Sequence, residues 1–212
     1  MKNLAIFGDS FARPSTFDYA WTNRLKRDYN NIDNFAYSSA GFDYSIKKFL
    51  EYDSNKNNDK RNIDIIFFVS ALHRIDFKFY TNIIDQKLLV RPKEFKQKYK
   101  KYSKFYDIFL HDFYFYSAWE QTELLKQILY VKHKTQDYNK VLIFSVFKSI
   151  DDQEFTNLSS NNCIVFQESF MSKFNITGVE IYPDTRENHM DATEHDMVYN
   201  FINTSLQKNN DI

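Results

Sequence analysis

Apolar residues fall along this chain in short unbroken runs separated by stretches with helical spacing. Leu4-Ala5-Ile6-Phe7 is the first run. Unbroken apolar runs of this length are what parallel strands buried on both faces look like. Ile63–Val69 is the strongest of them, and Val141–Val146 and Cys163–Phe166 read the same way. Ile32–Tyr37 is a weaker strand candidate carried by Ile32, Phe35, Ala36 and Tyr37. Between the runs, apolar positions recur at intervals of three and four, the mark of amphipathic helices. Such spacing predicts helices over Phe17–Tyr29, Ser45–Tyr52, Trp119–His133 and Asp191–Leu206. A further aromatic stripe, Tyr99, Tyr102, Phe105, Tyr106, Phe109 and Leu110, predicts a helix in the middle of the chain. Asp191 followed three residues later by Glu194 forms a capping box, which marks where the last helix begins.

Alternating strands and helices imply βαβ units around a parallel sheet with helices on both faces. In such an α/β fold, sites gather at the carboxyl ends of the strands. The 212 residues suffice for one domain with a sizeable core, and about residues 78–135 read as a helical insertion into it. No internal repeat or low-complexity linker divides the chain.

Charge and composition narrow the function classes. Lys+Arg and Asp+Glu both number 28, so the electrostatic argument for a nucleic-acid or anionic-membrane partner is missing. The Lys- and Tyr-rich stretch 93–104 reads as a solvated helix face with its aromatic stripe packed, not as a nucleic-acid patch. Aromatic residues make up 18% of the chain and read as core. Cys163 is the single cysteine, so no disulfide closes within the chain, and its apolar neighbours make it a small buried hydrophobe. No apolar stretch approaches the ~18 residues of a membrane span, and no signal peptide precedes the first strand. A cytoplasmic protein is expected, or one made there and assembled into a larger particle such as a virion. Neither an HExxH motif, a Cys/His metal cluster nor a phosphate-cradling glycine loop is present, so no metal or cofactor is expected.

The candidate chemistry lies after the strands. Gly8-Asp9-Ser10 follows the first strand, and a nucleophilic serine needs such a tight, exposed turn with backbone N–H groups facing it. The whole chain has three glycines, and Gly8 and Gly41 both follow predicted strands. Ser38-Ser39-Ala40-Gly41 can bring a backbone N–H toward a substrate oxygen, or form an ordinary turn capped by Asp43 or Ser45. Ser70, His73 and Arg74 follow the strongest strand and can face a cleft; Arg74 can equally pair with Asp76. His189 stands in the loop entering the last helix, within a chain length that lets it meet a serine on the first strand. His195 falls inside that helix and reads as a packing or surface residue.

In this order, Ile6-Phe7-Gly8-Asp9-Ser10, then Gly41, the segment at Ser70, and Asp184 through His189 resemble the SGNH (GDSL-type) hydrolases. Trp21 with Leu25, and Asn188-His189-Met190, add to the resemblance, which spans nearly the full chain. It implies a flavodoxin-like three-layer α/β/α sandwich. It also implies Ser10 as nucleophile, His189 as general base, the N–H groups of Ser10 and Gly41 as oxyanion donors, and Asp184 as the acid that orients the histidine. Two departures stand out. The family's third block supplies an asparagine as a further oxyanion donor, whereas this chain reads Ser70-Ala71-Leu72-His73-Arg74; loss of one donor costs roughly 100- to 1,000-fold in rate unless Ser70, His73 or Arg74 replaces it. The family's acid sits three residues before the histidine, where this chain has Arg186; Asp184 and Glu187 are the two acids at hand.

The resulting expectation is a serine esterase acting on a small-molecule or glycan ester such as an O-acetyl group. The alternative is a relative that keeps the fold without turnover and serves as a structural or interaction module, for example in a phage or another assembly, associating through the helical insertion. A nucleotide- or nucleic-acid-binding module has only the Lys-Tyr stretch in its favour.

Overall fold

The computed structural model describes residues 2–38, 40–55, 59–70, 117–147, 158–160, 162–177 and 187–207. Five parallel strands form one sheet: β1 (Asn3–Phe7), β2 (Asn31–Asn34), β3 (Ile63–Val69), β4 (Lys140–Ser145) and β5 (Cys163–Phe166), in the order β2-β1-β3-β4-β5. The apolar runs predicted as strands are those strands, because a strand covered on both faces must be apolar at every position.

Alternation along each strand builds two cores. Leu4, Ile6, Ile66, Phe68, Leu142 and Phe144 point to one face. There they meet Trp21 and Leu25 from helix α1 (Trp21–Arg24) and the tight turn after it, and Phe170 and Phe174 at the short helix α4 (Phe170–Lys173). Val198, Ile202 and Leu206 of the final helix, α5 (Ala192–Gln207), complete this face at intervals of four. Ala5, Phe7, Ile65, Phe67, Val141 and Ile143 point to the opposite face. That face is covered by Phe49 of α2 (Phe42–Asp53) and by Leu124, Ile128 and Val131 of α3 (Ser117–Lys134). The result is a three-layer α/β/α sandwich. Each fully buried aliphatic or aromatic side chain contributes about 1.5–3 kcal/mol of transfer free energy. Helix α3 lies in the connection from β3 to β4 and packs on both. Of the expected 78–135 insertion, α3 and Thr135 fall within the described residues; the aromatic stripe at 99–110 lies outside them.

Two boundaries differ from the sequence expectation for identifiable reasons. The Phe17–Tyr29 helix is reduced to α1 because Asn23 Nδ2 donates to the carbonyls of Ser15 (2.8 Å) and Phe17 (2.9 Å), and Ala20 N donates to Phe17 O (3.0 Å). These bonds fix 15–20 as turns. β2 ends at Asn34 rather than Tyr37 because Asn34 Oδ1 takes the Ala36 N–H at 3.0 Å. The chain nevertheless stays alongside β1, with Phe35 N donating to Ile6 O (2.8 Å) and Tyr37 N to Gly8 O (3.1 Å). Among the described residues, no helix is long and apolar enough to cross a membrane.

Candidate active site

The chain leaves β1 through Gly8. A Cβ on Gly8 would lie 2.6 Å from Phe68 Cβ on the adjacent strand, and Gly8 has φ +158°, so a side chain fits neither the space nor the backbone. Asp9 then folds the turn. Its Oδ1 accepts the Phe11 N–H at 3.1 Å, and its carbonyl accepts the Ala12 N–H at 3.1 Å. Asp9 thus captures two of the turn's amides, with Ser10 at the corner.

Three side chains from elsewhere pin the loop after the serine. Trp21 Nε1 donates to Phe11 O (3.1 Å), Asn34 Nδ2 to Ala12 O (2.8 Å) and Asn188 Nδ2 to Arg13 O (3.1 Å). Three consecutive carbonyls are therefore held from α1, from the end of β2 and from the loop before α5. Backbone pinned in this way keeps the side chains it carries in one geometry.

His189 arrives from the far end of the sequence. Its Nε2 lies 2.8 Å from Ser10 Oγ, across a sequence separation of 179. Ser10 keeps 3% of its surface exposed, while His189 is half-buried with its ring 4.9 Å from that of Phe11. The loop carrying it is set by two consecutive left-handed residues, Asn188 (φ 50°) and His189 (φ 65°). Each non-glycine residue held there costs on the order of 1–2 kcal/mol. Asparagine tolerates the conformation best, and Asn188 is 2% exposed with both ends of its amide bonded to Arg13. Beyond His189 the capping box forms as expected: Glu194 N donates to Asp191 Oδ1 (2.8 Å) and Asp191 N to Glu194 Oε2 (2.7 Å).

Gly41 follows β2 and stands immediately before α2, where the helix's first N–H groups lack intrahelical partners and carry partial positive charge. Ser70 follows β3 and is buried, and its Oγ donates to Ala40 O at 2.8 Å. Its single proton is thereby committed to the loop that carries Gly41, so Ser70 fixes that loop in this structure. Asp184, His73 and Arg74 lie outside the described residues, and Glu187 is described in its backbone alone. The structure therefore brings Ser10 and His189 together and places Gly41 and Ser70 at the carboxyl ends of the neighbouring strands.

Gly8-Asp9-Ser10 and His189 are residues on which the sequence resembles the SGNH hydrolases, and the structure brings Ser10 and His189 into contact beside a five-stranded parallel sheet. No protein-family model and no curated sequence matches the chain. Among solved structures it is similar to a member of the lipolytic G-D-S-L family from Veillonella parvula DSM 2008, at 10% identity and TM-score 0.46, over 93% of this chain and 94% of that one. It is similar to the acetylxylan esterase Axe2 from Geobacillus stearothermophilus, at 9% identity and TM-score 0.47, over 98% and 94%. It is also similar to phospholipase A1 from Streptomyces albidoflavus NA297, at 10% identity and TM-score 0.35, over 98% and 75%.

Sequence reasoning did not single out Arg13, Asn34 or Phe11, whose contacts shape the site. Arg13 carried no signal, since an arginine three residues past a turn reads as surface charge. Asn34 carried one in hindsight: a polar amide at the end of a strand candidate. His195 is fully buried, as a packing residue should be, and its Nδ1 accepts the Trp21 N–H at 3.3 Å. It caps α1, whose preceding residue Ala20 supplies no side-chain cap. Cys163 is buried, and burial pushes its thiol up to about 12, so it is an inert packing group. Among the described residues no cluster of His, Cys, Asp and Glu could hold a metal ion.

Proposed function

We propose that the protein is a serine hydrolase of the SGNH type that cleaves an ester through an acyl-enzyme. The observation that carries the reading is the 2.8 Å contact between Ser10 Oγ and His189 Nε2 at the carboxyl rim of a parallel sheet. That distance is hydrogen-bond reach between a nucleophile and its base.

In the forward step, His189 Nε2 takes the Ser10 proton as Oγ bonds to the ester carbonyl carbon. Negative charge develops on the carbonyl oxygen, which the N–H groups of Ser10 and Gly41 stabilise. The imidazolium then protonates the departing alkoxide, leaving Ser10 acylated. Water, deprotonated by His189, attacks the acyl carbon and returns the serine. This cycle requires the His189 tautomer with hydrogen on Nδ1, and the role of holding that N–H falls to Asp184, or to Glu187. Small acyl groups such as acetyl, on a glycan or a small alcohol, are the proposed substrates.

The test is fluorophosphonate labelling with peptide mapping, beside turnover of p-nitrophenyl acetate. The expected label is on Ser10, and Ser10→Ala or His189→Ala should lose on the order of 10⁴- to 10⁶-fold in kcat. Equal turnover by parent and Ser10→Ala, or a parent that neither labels nor hydrolyses any short ester, defeats the proposal and leaves the non-catalytic module.

A further inference from the structure

We infer that Arg13 and Asn188 form a positioning pair that fixes the general base to the nucleophile's own turn. The inference rests on the reading of Ser10 and His189 as nucleophile and base. It concerns what holds that pair in register apart from any carboxylate behind the histidine.

The geometry is reciprocal. Arg13 Nε donates to Asn188 Oδ1 at 3.0 Å, and Asn188 Nδ2 donates back to Arg13 O at 3.1 Å. Both faces of one amide are thus spent on one residue, and only one orientation of the amide satisfies both bonds. Arg13 lies three residues after Ser10, and Asn188 immediately precedes His189. The bonds therefore join the side chain and backbone of the residue three past the serine to the side-chain amide of the residue before the histidine. Asn188 is 2% exposed, so water does not substitute for either bond at no cost.

The loop needs such a clamp. Asn188 and His189 both hold left-handed backbone within the single tight turn Glu187–His189, and α5 begins only at Ala192, so no longer helix or strand enforces the conformation. Asparagine is suited twice over: it tolerates the left-handed region, and its amide offers the donor that an aspartate lacks. The imidazole position then follows from the backbone that carries it. A displacement of about 1 Å between reacting groups costs on the order of 100-fold in rate, which is the effect a positioning residue has.

The chemistry of the clamp selects the experiment. Glutamine's Nε2 occupies the same place along its side chain as arginine's Nε, and it donates without charge. Methionine matches the length and has no donor. Arg13→Met and Arg13→Gln are therefore compared with the parent for ester turnover and for the rate of fluorophosphonate labelling of Ser10. The ¹⁵N shifts of the His189 ring are recorded for all three. Arg13→Met is expected to lose about 10- to 100-fold in kcat with KM within about twofold, and to label correspondingly slowly. Arg13→Gln should stay within a few-fold of the parent. Met and Gln variants falling equally, or Arg13→Met labelling at the parent rate, overturns the inference. If the parent itself neither labels nor turns over, the hydrolase reading has failed and the nuclear resonance measurement decides alone. A His189 ring shifted in Arg13→Met and restored in Arg13→Gln then supports the clamp, and an unmoved ring overturns it.

Discussion

Gly8→Ala is the sharpest perturbation of the Gly8-Asp9-Ser10 turn, and its cost can be worked from the structure. The added methyl would lie 2.6 Å from Phe68 Cβ and 3.3 Å from Phe68 Cγ. Nonbonded carbons rest at about 3.5–4.0 Å, so roughly 1 Å of separation must be found. Phe68 cannot supply it by changing rotamer, because the nearest atom is a Cβ, fixed to a central strand. Its ring is equally confined, 5.2 Å from Phe144, 4.9 Å from Phe170 and 5.8 Å from Trp21 by centroids. The strands must therefore part locally. Overpacking of this kind costs about 1–3 kcal/mol, and a side chain held at the glycine's φ of +158° adds about 1–3 kcal/mol. The sum, about 2–6 kcal/mol, is a large part of the ~5–15 kcal/mol that stabilises an ordinary domain.

Urea unfolding of the parent and Gly8→Ala measures the difference directly. A companion variant sharpens it. Phe68→Leu removes the aromatic ring but keeps the clashing Cβ, so it should not rescue Gly8→Ala, and the double variant should be at least as unstable as either single one. A Gly8→Ala protein destabilised by less than about 1 kcal/mol, or rescued by Phe68→Leu, refutes the steric argument.

Two other outcomes follow from the same physics. Tyr29 and Tyr138 are buried, and burial, with bonds to Asp64 (2.8 Å) and Asp53 (2.9 Å), raises both phenols far above their ordinary value of 10.0. Above that value the unfolded chain releases protons that the folded one keeps, so the tyrosines' contribution to stability should be intact below pH ~10 and fall above it, by up to about 1.4 kcal/mol per pH unit for each tyrosine. Denaturant titrations across pH 9–11 check this, and Tyr138→Phe should make the decline shallower; a flat profile contradicts it. Asp191→Ala removes one half of the capping box and should cost about 1 kcal/mol, with Asp191→Asn close to neutral, as read from thermal unfolding.

The strands were legible because burial on both faces leaves no room for ambiguity: Ile63–Val69 and Cys163–Phe166 end where the apolar runs end. Where the sequence misled, a polar side chain had bonded to the local backbone. Asn23 dissolved the first turns of the Phe17–Tyr29 helix, and Asn34 cut β2 short. Apolar periodicity carries no information about such competition. The chemical residues were legible as types in suitable places, because Gly8, Ser10 and His189 each follow or precede a well-marked element. Their partners were not, because a hydrogen bond such as Arg13 Nε to Asn188 Oδ1 joins positions 175 residues apart, and neither residue breaks any local pattern.

The meeting of Ser10 and His189 follows from topology more than from local sequence. β1 lies between β2 and β3. The connection from β1 to β2 carries α1 on the Leu4 and Ile6 face, and the connection from β2 to β3 carries α2 on the Ala5 and Phe7 face. The chain therefore departs to opposite sides around the carboxyl end of β1, the position at which open α/β sheets place their crevices. Ser10 occupies that end. α5 packs on the same face as α1, its buried His195 bonded to Trp21 N, and this contact ties the beginning of the helix to α1. His189 lies just ahead of that beginning, so docking α5 delivers the imidazole to the serine. Substitutions that loosen α5 on the sheet, such as Val198→Ala or Ile202→Ala, should therefore weaken the Ser10–His189 contact without touching either residue.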